Sequence, residues 1–241
     1  MNITKETLLE MWVEQVRAFI REYGLIEMAR TMGAFWQYDY NAAKAGRVGM
    51  HALLKSGLHS DGFFVSRILL EPERIRKAVA LDMVARLRVA GASEADYIAG
   101  IPDGATKLGI MVADIFGSSE ADMMKEDGRI TLRTPIPSGA TILLVEDVCT
   151  RGTGFMEAVR EIKGHYPDAQ LLPFDPVIIN RGGLEQVDVQ GVGAFKVVAI
   201  INERLQDWTP EECPLCSMGS KPIKPKATDE NWHLITTSQL L

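Results

Sequence analysis

The chain has 241 residues, of which 46% are hydrophobic and 24% charged, and its net charge is -6. This composition predicts one globular α/β domain with elaborations, or one domain with a small appendage. The acidic balance argues against a nucleic-acid-binding protein, which usually has a basic face. No apolar run approaches the roughly 20 residues that span a membrane. The N-terminus lacks the pattern of a signal peptide, and three cysteines do not make a disulfide framework. We therefore expect a cytoplasmic protein with no nucleic-acid or membrane partner.

Helical patterns dominate the start of the chain. From about Lys5 to Gly33, apolar side chains recur near helical spacing, with a predicted break at Gly24. We expect this stripe to pack against the core or a partner subunit. An aromatic-rich connection at 35–40 leads to the segment 51–65, which has the pattern of two short strands around a polar turn.

Helices and strands alternate after residue 70. The predicted elements are a helix from about 73 to 89, a strand at 97–99, a loop at 100–105, a helix at 106–116, strand pieces within 121–133, a strand from 142, a helix to 165, and strands near 177–179 and 197–200. This alternation predicts an α/β fold with a parallel sheet flanked by helices. The tail from Asp207 is rich in proline, lysine and turn formers, so we predict an extended appendage.

The most informative segment runs from Ile142 to Gly154. Four apolar residues predict a strand buried on both faces, and Glu146 and Asp147 follow where the strand end opens onto a crevice. Two threonines and two glycines then precede a helical pattern, which suits an anion at a helix N-terminus. The carboxylates would instead serve ribose hydroxyls or a cation. The segment predicts a site for a sugar phosphate with a metal ion, the alternative being an ordinary buried strand before a capped helix.

This segment resembles the phosphoribosyl pyrophosphate (PRPP) signature of type I phosphoribosyltransferases. The resemblance implies that Glu146 and Asp147 bind the ribose hydroxyls beside the reacting carbon. It also implies that Mg²⁺ is held mainly by the substrate. The 5′-phosphate loop would consist of Thr150, Arg151, Gly152, Thr153 and Gly154.

A second segment is similar to orotate phosphoribosyltransferases in particular. The run Leu54-Lys55-Ser56-Gly57-Leu58-His59-Ser60 resembles a stretch that forms a hood over the base in that family, and Phe63 and Phe64 follow it. The resemblance implies that Lys55 is a catalytic cationic contact and that Phe63 or Phe64 walls the ring. The alternative is a surface lysine and two phenylalanines that face a small core.

The loop after the strand at 97–99 matches the family's pyrophosphate loop in position. Its members would be Ile101, Pro102, Asp103, Gly104 and Ala105. Many relatives carry a lysine in this loop, but Gly104 occupies the matching place and Lys107 comes three residues later. We therefore expect a cradle of backbone N–H groups, the alternative being a tight turn between strand and helix.

Asn180-Arg181-Gly182-Gly183 resembles the family's Asp-Arg stretch, whose arginine faces the carboxylate of orotate. Arg181 is therefore predicted to recognise the base, because a planar guanidinium suits a carboxylate. Asn180, where the family has aspartate, puts a structural salt bridge in doubt. The alternative is a solvated loop arginine.

The segment 124–129 lies at the place of the family's mobile catalytic loop. Relatives carry several basic residues there and often a histidine, whereas this segment offers only Lys125 and Arg129. Lys125 is the predicted catalytic contact from this loop. The sparse basic character leaves room for another base or for a regulatory role.

Cys213 and Cys216 have the spacing of a zinc knuckle, but a tetrahedral site needs four ligands. His233 could contribute, or two chains could each supply a pair. A metal-free pair, a structural zinc site in the tail and a redox pair all stay open.

The resemblance implies a domain at 46–206 with its hood at 46–70, between a helical extension at 1–45 and a tail at 207–241. The expected reaction transfers the phosphoribosyl group of PRPP to a nitrogenous base, with orotate as the leading expectation, and releases pyrophosphate. Purine-base salvage and a non-catalytic module that senses PRPP are the alternatives. A homodimer is also expected.

Overall fold

The computed structural model describes residues 3–92 and 94–240. The helices of this part are α1 (Lys5–Glu10), α2 (Val13–Tyr23), α3 (Leu25–Thr31), α4 (Tyr40–Lys44), α5 (Ser66–Leu70), α6 (Glu73–Ala90), α7 (Thr106–Phe116), α8 (Thr153–His165), α9 (Pro214–Ser217) and α10 (Asp229–Thr237). Its strands are β1 (Phe35–Gln37), β2 (Met50–Leu53), β3 (His59–Ser60), β4 (Gly62–Phe64), β5 (Tyr97–Gly100), β6 (Ser119–Glu120), β7 (Met123–Glu126), β8 (Arg129–Leu132), β9 (Thr141–Cys149), β10 (Gln170–Leu171), β11 (Phe174–Asn180), β12 (Gln186–Val189), β13 (Gly193–Asn202), β14 (Asp207–Trp208) and β15 (Lys221–Ile223).

The chain forms two compact units. The first comprises the N-terminal residues up to Met28 together with Ser66–Arg204, and the second comprises Ala29–Val65 together with the residues from Leu205 onward. This division differs from the one drawn from the sequence, because the hood strands and the tail fold into one unit. The helical start of the chain is as predicted, with α2 ending at Gly24, where φ is +86°.

The first unit is built on a seven-stranded sheet. Its order is β12-β13-β11-β9-β5-β6, with β10 also paired to β9. All pairings are parallel except that of β12 with β13. Helices flank this sheet, as the alternating pattern predicted, and α2 packs against α6.

Strand β9 occupies the centre of this sheet. Its residues Ile142–Val145 are at most 2% exposed, because β5 and β11 pair with it on both sides and helices cover the sheet. Parallel strands end at the same edge of a sheet, so the loops that follow β5, β9 and β11 lie at one edge. Those loops are 101–105, 150–152 and 181–185.

The second unit has a four-stranded sheet in the order β14-β3-β2-β15 and a separate pair, β1 with β4. The tail supplies both outer strands of the sheet: β14 pairs with β3, and β15 pairs with β2. Helix α10 adds Trp232, whose indole N–H donates to the carbonyl oxygen of Gly33 at 3.0 Å. The prediction of an extended tail is therefore wrong, because strand pairing with distant residues supplies the backbone partners that its composition did not reveal.

Candidate active site

Two carboxylates lie at the end of β9, and each faces a different loop. Glu146 is only 6% exposed, and its Oε1 would be 3.1 Å from a Cβ added at Gly154. The Oδ2 of Asp147 would be 1.9 Å from a Cβ added at Gly104. Glu146 thus faces the start of α8, and Asp147 lies against the loop after β5. A side chain at position 104 would require the Asp147 carboxylate to move.

A third acid lies close to Glu146, on the neighbouring strand of the sheet. Asp175, on β11, is fully buried, and within the described residues its two oxygens and Oε2 of Glu146 have no hydrogen-bond partner. One ligand atom from each of Glu146, Cys149 and Asp175 lies within 4.8 Å of the other two. The Cys149 thiol is thus next to Asp175, but it makes no bond of normal geometry with either oxygen.

This crowding of buried acids changes their protonation. Burial, and then the charges of Asp175 and Asp147, raise the pKa of Glu146 well above its usual range. Burial raises the pKa of Asp175 to about 7. Burial and the neighbouring acids also raise the pKa of the Cys149 thiol. Cys149 is therefore a neutral packing residue and not a nucleophile.

The loop after β9 depends on close backbone contacts. Gly152 has φ +66° and precedes the first residue of α8. A Cβ added there would be 2.7 Å from Val187, and one added at Gly182 would be 1.8 Å from the carbonyl oxygen of Thr150. No side chain caps the start of α8, so its first N–H groups are available to an anion. Thr150, Arg151, Thr153 and Gly154 accompany Gly152 in this segment.

The loop after β5 also packs tightly. The N–H of Ile101 donates to the carbonyl of Val145 at 2.8 Å, and the N–H of Ala105 donates to the carbonyl of Ile101 at 3.1 Å. The peptide bond between Pro102 and Asp103 is cis. Lys107 forms an exposed ion pair with Glu71 at 3.1 Å. The N–H groups of Ile101 and Ala105 are thus engaged and Pro102 has none, so Asp103 and Gly104 carry the N–H groups of this loop that are left for an anion.

Arg181 follows β11 and lies beside the end of β9. Its N–H donates to the carbonyl oxygen of Cys149 at 2.9 Å, and its side chain is buried, so it is not a solvated loop arginine. Asn180 closes the turn: its amide nitrogen donates to Leu184 O at 2.8 Å and to Asn202 Oδ1 at 3.2 Å, and its oxygen accepts from Leu184 N–H at 3.1 Å. Aspartate could not make the two donations, so asparagine is the residue that this turn requires.

The segment at the place of the mobile loop is a β-hairpin. Strands β7 and β8 are joined by Asp127 and Gly128, whose φ values are +49° and +82°, as expected for a tight two-residue turn. Lys125 is exposed on β7. The outer N–H groups of β8 are bound by carboxylates of α8: Ile130 N–H donates to Glu157 at 2.9 Å, and Leu132 N–H donates to Glu161 at 3.2 Å. The predicted strand pieces are therefore confirmed, and β8 is hydrogen-bonded to side chains of α8.

The remaining predicted residues belong to the second unit. Lys55 is exposed in the turn between β2 and β3. Phe64 is 4% exposed, whereas Phe63 is half-buried and its ring centroid is 6.1 Å from that of Trp232. Of the two rings, Phe63 is therefore the one with free surface for a planar ligand. Cys213 and Cys216 lie together with His51 and His59, and His233 is not part of this cluster.

The sequence analysis missed three polar residues. Asp175 interrupts the apolar strand β11, so its position is a detectable signal, but nothing in the sequence identifies its neighbours. His51 and His59 lie near the starts of short strands, and only the fold brings them to the cysteines.

No protein-family model matches the chain. A protein of a Nitratiruptor species named orotate phosphoribosyltransferase is 29% identical over 185 residues, which cover 73% of this chain and 90% of that protein. A Wolinella succinogenes protein of the same name is 28% identical over 196 residues, which cover 77% and 93%. The crystal structure of orotate phosphoribosyltransferase from Aeropyrum pernix matches with a TM-score of 0.53 and 18% identity, over 73% of this chain and 92% of that one.

The fold is that of the type I phosphoribosyltransferases. Within that class, the chain is similar along about three quarters of its length to proteins named orotate phosphoribosyltransferase, as the sequence motifs predicted. In the described part of the chain, no helix has both the length and the apolar character to cross a membrane.

Proposed function

We propose that the chain is a pentosyltransferase that moves the 5-phosphoribosyl group of PRPP to orotate, in the synthesis of pyrimidine nucleotides. One observation carries this proposal. Glu146 and Asp147 lie between two segments that approach them at glycines, Glu146 at Gly154 and Asp147 at Gly104. The names of the relatives support orotate as the acceptor.

The reaction requires no protein nucleophile. A ring nitrogen of orotate donates its electron pair to the anomeric carbon, the bond from that carbon to pyrophosphate breaks, and the nitrogen loses its proton. The ribose carries positive charge in the transition state while negative charge grows on pyrophosphate. Asp147, which is more exposed than Glu146, is the group best suited to stabilise the ribose cation.

The binding contacts follow from the same geometry. The free N–H groups at the start of α8, with Thr150, Arg151 and Thr153, bind the 5′-phosphate and so orient the ribose. Oε1 of Glu146 faces Gly154 at the start of α8 and is the oxygen that would accept a hydrogen bond from a ribose hydroxyl. The N–H groups of Asp103 and Gly104 bind pyrophosphate, because those of Ile101 and Ala105 already donate to carbonyls and Pro102 has none.

The donor set at the site fits a magnesium ion bound mainly by PRPP. Asp147 is a half-buried carboxylate beside the pyrophosphate loop, and carboxylate and phosphate oxygens are the ligands that Mg²⁺ prefers. When bound, the ion would neutralise charge on the leaving pyrophosphate. Lys55 and Lys125 are the proposed cationic contacts of the protein, and Arg181 and Phe63 the proposed base contacts.

The test compares bases in the full-length protein. PRPP, Mg²⁺ and either orotate, uracil or adenine are mixed with the parent and with Arg181→Lys and Arg181→Ala variants, and pyrophosphate release is followed. Orotate should be the preferred base, and Arg181→Ala should lower orotate turnover far more than any turnover of uracil. Arg21→Ala, which changes an exposed arginine on α2, is the matched control. A parent that prefers a base without a carboxylate would refute the proposal.

The anchored hairpin favours a second candidate, a module that senses PRPP without turnover. Lys125 is exposed there, and β8 is held against α8 by Glu157 and Glu161. A sensor would bind PRPP in calorimetry and release no pyrophosphate with any base in the panel. Purine salvage is less favoured because the run 54–60 resembles the orotate hood.

Location and assembly remain proposals. The three cysteines are free thiols, as is usual in the reducing cytoplasm where we place the protein. A homodimer is proposed as well, and light scattering of the purified chain would test it.

A further inference from the structure

Four side chains of the second unit converge on one point. They are His51 on β2, His59 on β3, Cys213 just before α9, and Cys216 within α9. One nitrogen or sulfur atom from each lies within 4.8 Å of all the others. The two histidines and the two cysteines are separated by more than 150 positions of sequence, so the fold and not a local turn assembles this group.

The distances have the values of a tetrahedral metal site. His51 Nε2 lies 3.0 Å from His59 Nδ1, 3.7 Å from Cys213 Sγ and 3.6 Å from Cys216 Sγ. Cys216 Sγ is 3.3 Å from His59 Nδ1. Zinc bonds of about 2.0 Å to nitrogen and about 2.3 Å to sulfur place two nitrogens about 3.3 Å apart and nitrogen about 3.6 Å from sulfur. The observed spacings agree with these values to within a few tenths of an ångström.

The orientation of His51 is fixed from outside the cluster. Its other ring nitrogen, Nδ1, is 2.8 Å from the hydroxyl oxygen of Ser220, and that hydroxyl donates to the carbonyl of Gly49 at 3.1 Å. The hydroxyl proton is thereby engaged, so the ring donates from Nδ1 and its Nε2 lone pair faces the cysteines. A bound metal's histidine ligand is usually held by an outer hydrogen bond of this kind.

Burial and ligand chemistry select the metal and its role. His51, His59 and Cys213 are at most 5% exposed, and Cys216 is half-buried. Two sulfurs and two imidazole nitrogens in a tetrahedron favour zinc over the harder Mg²⁺ or Ca²⁺. Four protein ligands leave no position for a substrate, which is the arrangement of a structural site.

The unit that holds the cluster needs such a link. It consists of two segments of fewer than 40 residues each, and small units usually need a metal or a disulfide to supplement their core. Its cysteines are free. One segment supplies the histidines and the other supplies the cysteines, so a metal would join the two.

We propose that His51, His59, Cys213 and Cys216 bind one structural zinc ion that fastens the tail to the hairpin β2–β3. The hairpin turn carries Lys55, and the tail strands β14 and β15 border the same sheet. The ion holds this hairpin in its folded conformation and takes no part in the transfer reaction. The site is independent of the proposed function, because its ligands are not the PRPP contacts.

Metal analysis of the full chain tests the ligand set. The protein is stripped with a strong chelator, reloaded with Zn²⁺, separated from free ion, and analysed by mass spectrometry for metal content. The parent should hold about one zinc ion per chain, and Cys216→Ser and His59→Asn should each retain less than about a tenth of that. His233→Asn and His165→Asn, which change the two histidines outside the cluster, should bind zinc like the parent. Equal zinc in parent and Cys216→Ser, or zinc lost in His233→Asn, would overturn the proposal.

Cobalt substitution tests the site without any variant that might misfold. Co²⁺ added to the stripped parent should give strong visible absorption typical of a tetrahedral ion, with a near-ultraviolet thiolate band, and Zn²⁺ should abolish both. A weak spectrum typical of six-coordinate Co²⁺, or no spectrum, would mean that the four side chains form a metal-free hydrogen-bonded cluster and would refute the site.

Discussion

The two units bury opposite kinds of polar cluster. In the first unit, Glu146 and Asp175 are acids that lie beside a thiol, and three of their oxygens have no hydrogen-bond partner among the described residues. In the second unit, His51 and His59 meet two cysteines whose lone pairs point at one centre. Burial destabilises the charged form of an acid, so the pKa values of these acids rise and the acids can keep a proton. Imidazole and thiolate ligands at tetrahedral spacing gain most from a cation. The chemistry of the buried groups, and not burial itself, is the reason that we propose a substrate site in the first unit and a structural metal site in the second.

Removal of metal should have the largest effect, and only on the second unit. If zinc joins its two segments, chelation should lower stability by several kcal/mol, since a ligand at 1,000 times its Kd contributes about 4 kcal/mol. Hydrogen exchange should then accelerate in β2, β3 and the tail, and not in β9. Cys216→Ser should be insensitive to the chelator, whereas His233→Asn should respond like the parent. If hydrogen exchange in the tail is unchanged after chelation, no metal stabilises the second unit and the two units do not differ in this respect.

Asp147→Asn should affect the first unit without unfolding it. The change removes a negative charge beside a cation that exists only in the transition state, so kcat should fall roughly 10- to 1000-fold, or about 1.4 to 4 kcal/mol. Affinity for PRPP, measured by calorimetry, should fall much less. Asp114→Asn, an exposed aspartate on α7, is the control. Equal kcat in Asp147→Asn and the parent would mean that Asp147 is a bystander.

Asp175→Asn tests whether the buried acids lower the free energy of unfolding. Burial raises the pKa of Asp175 from 3.8 to about 7 in the folded state, so between these pH values the folded chain holds a proton that the unfolded chain releases. Stability should therefore fall as pH rises through this window. Asparagine carries no such charge, and the variant should be more stable than the parent at pH 8 by up to about 4 kcal/mol, with the difference disappearing below about pH 4.

Urea unfolding at several pH values would measure this effect. Asp114→Asn again provides the matched exposed control. If the parent is as stable as the Asp175→Asn variant at pH 8, the buried acids have hydrogen-bond partners that their geometry does not indicate.

The smallest expected effect concerns the hairpin of the first unit. Glu157→Ala removes the acceptor for Ile130 N–H, which should cost about 1 kcal/mol and accelerate exchange of that amide roughly fivefold. Glu157→Gln keeps an acceptor oxygen and should restore protection. If the amide of Ile130 exchanges at the same rate in all three proteins, the carboxylate does not fasten the hairpin to α8.

Local chemistry determined the parts of the molecule that sequence patterns could identify. The apolar run at 142–145 predicted β9, helical spacing predicted α7 from Thr106 to Phe116, and both predictions agree with the structure. The acids and glycines at 146–154 predict a phosphate site, which stays a prediction. These features depend on neighbouring residues along the chain, because strand and helix periods and the conformational freedom of glycine are local properties.

Tertiary structure alone decided the rest. The tail became part of a sheet because β14 and β15 found partners at β3 and β2. The zinc cluster needs His51 and His59 beside cysteines more than 150 residues away. The raised pKa of Glu146 comes from its burial in the sheet and then from Asp175 on the adjacent strand. Such pairings depend on which strands lie side by side, and a single sequence carries no local pattern that specifies those contacts.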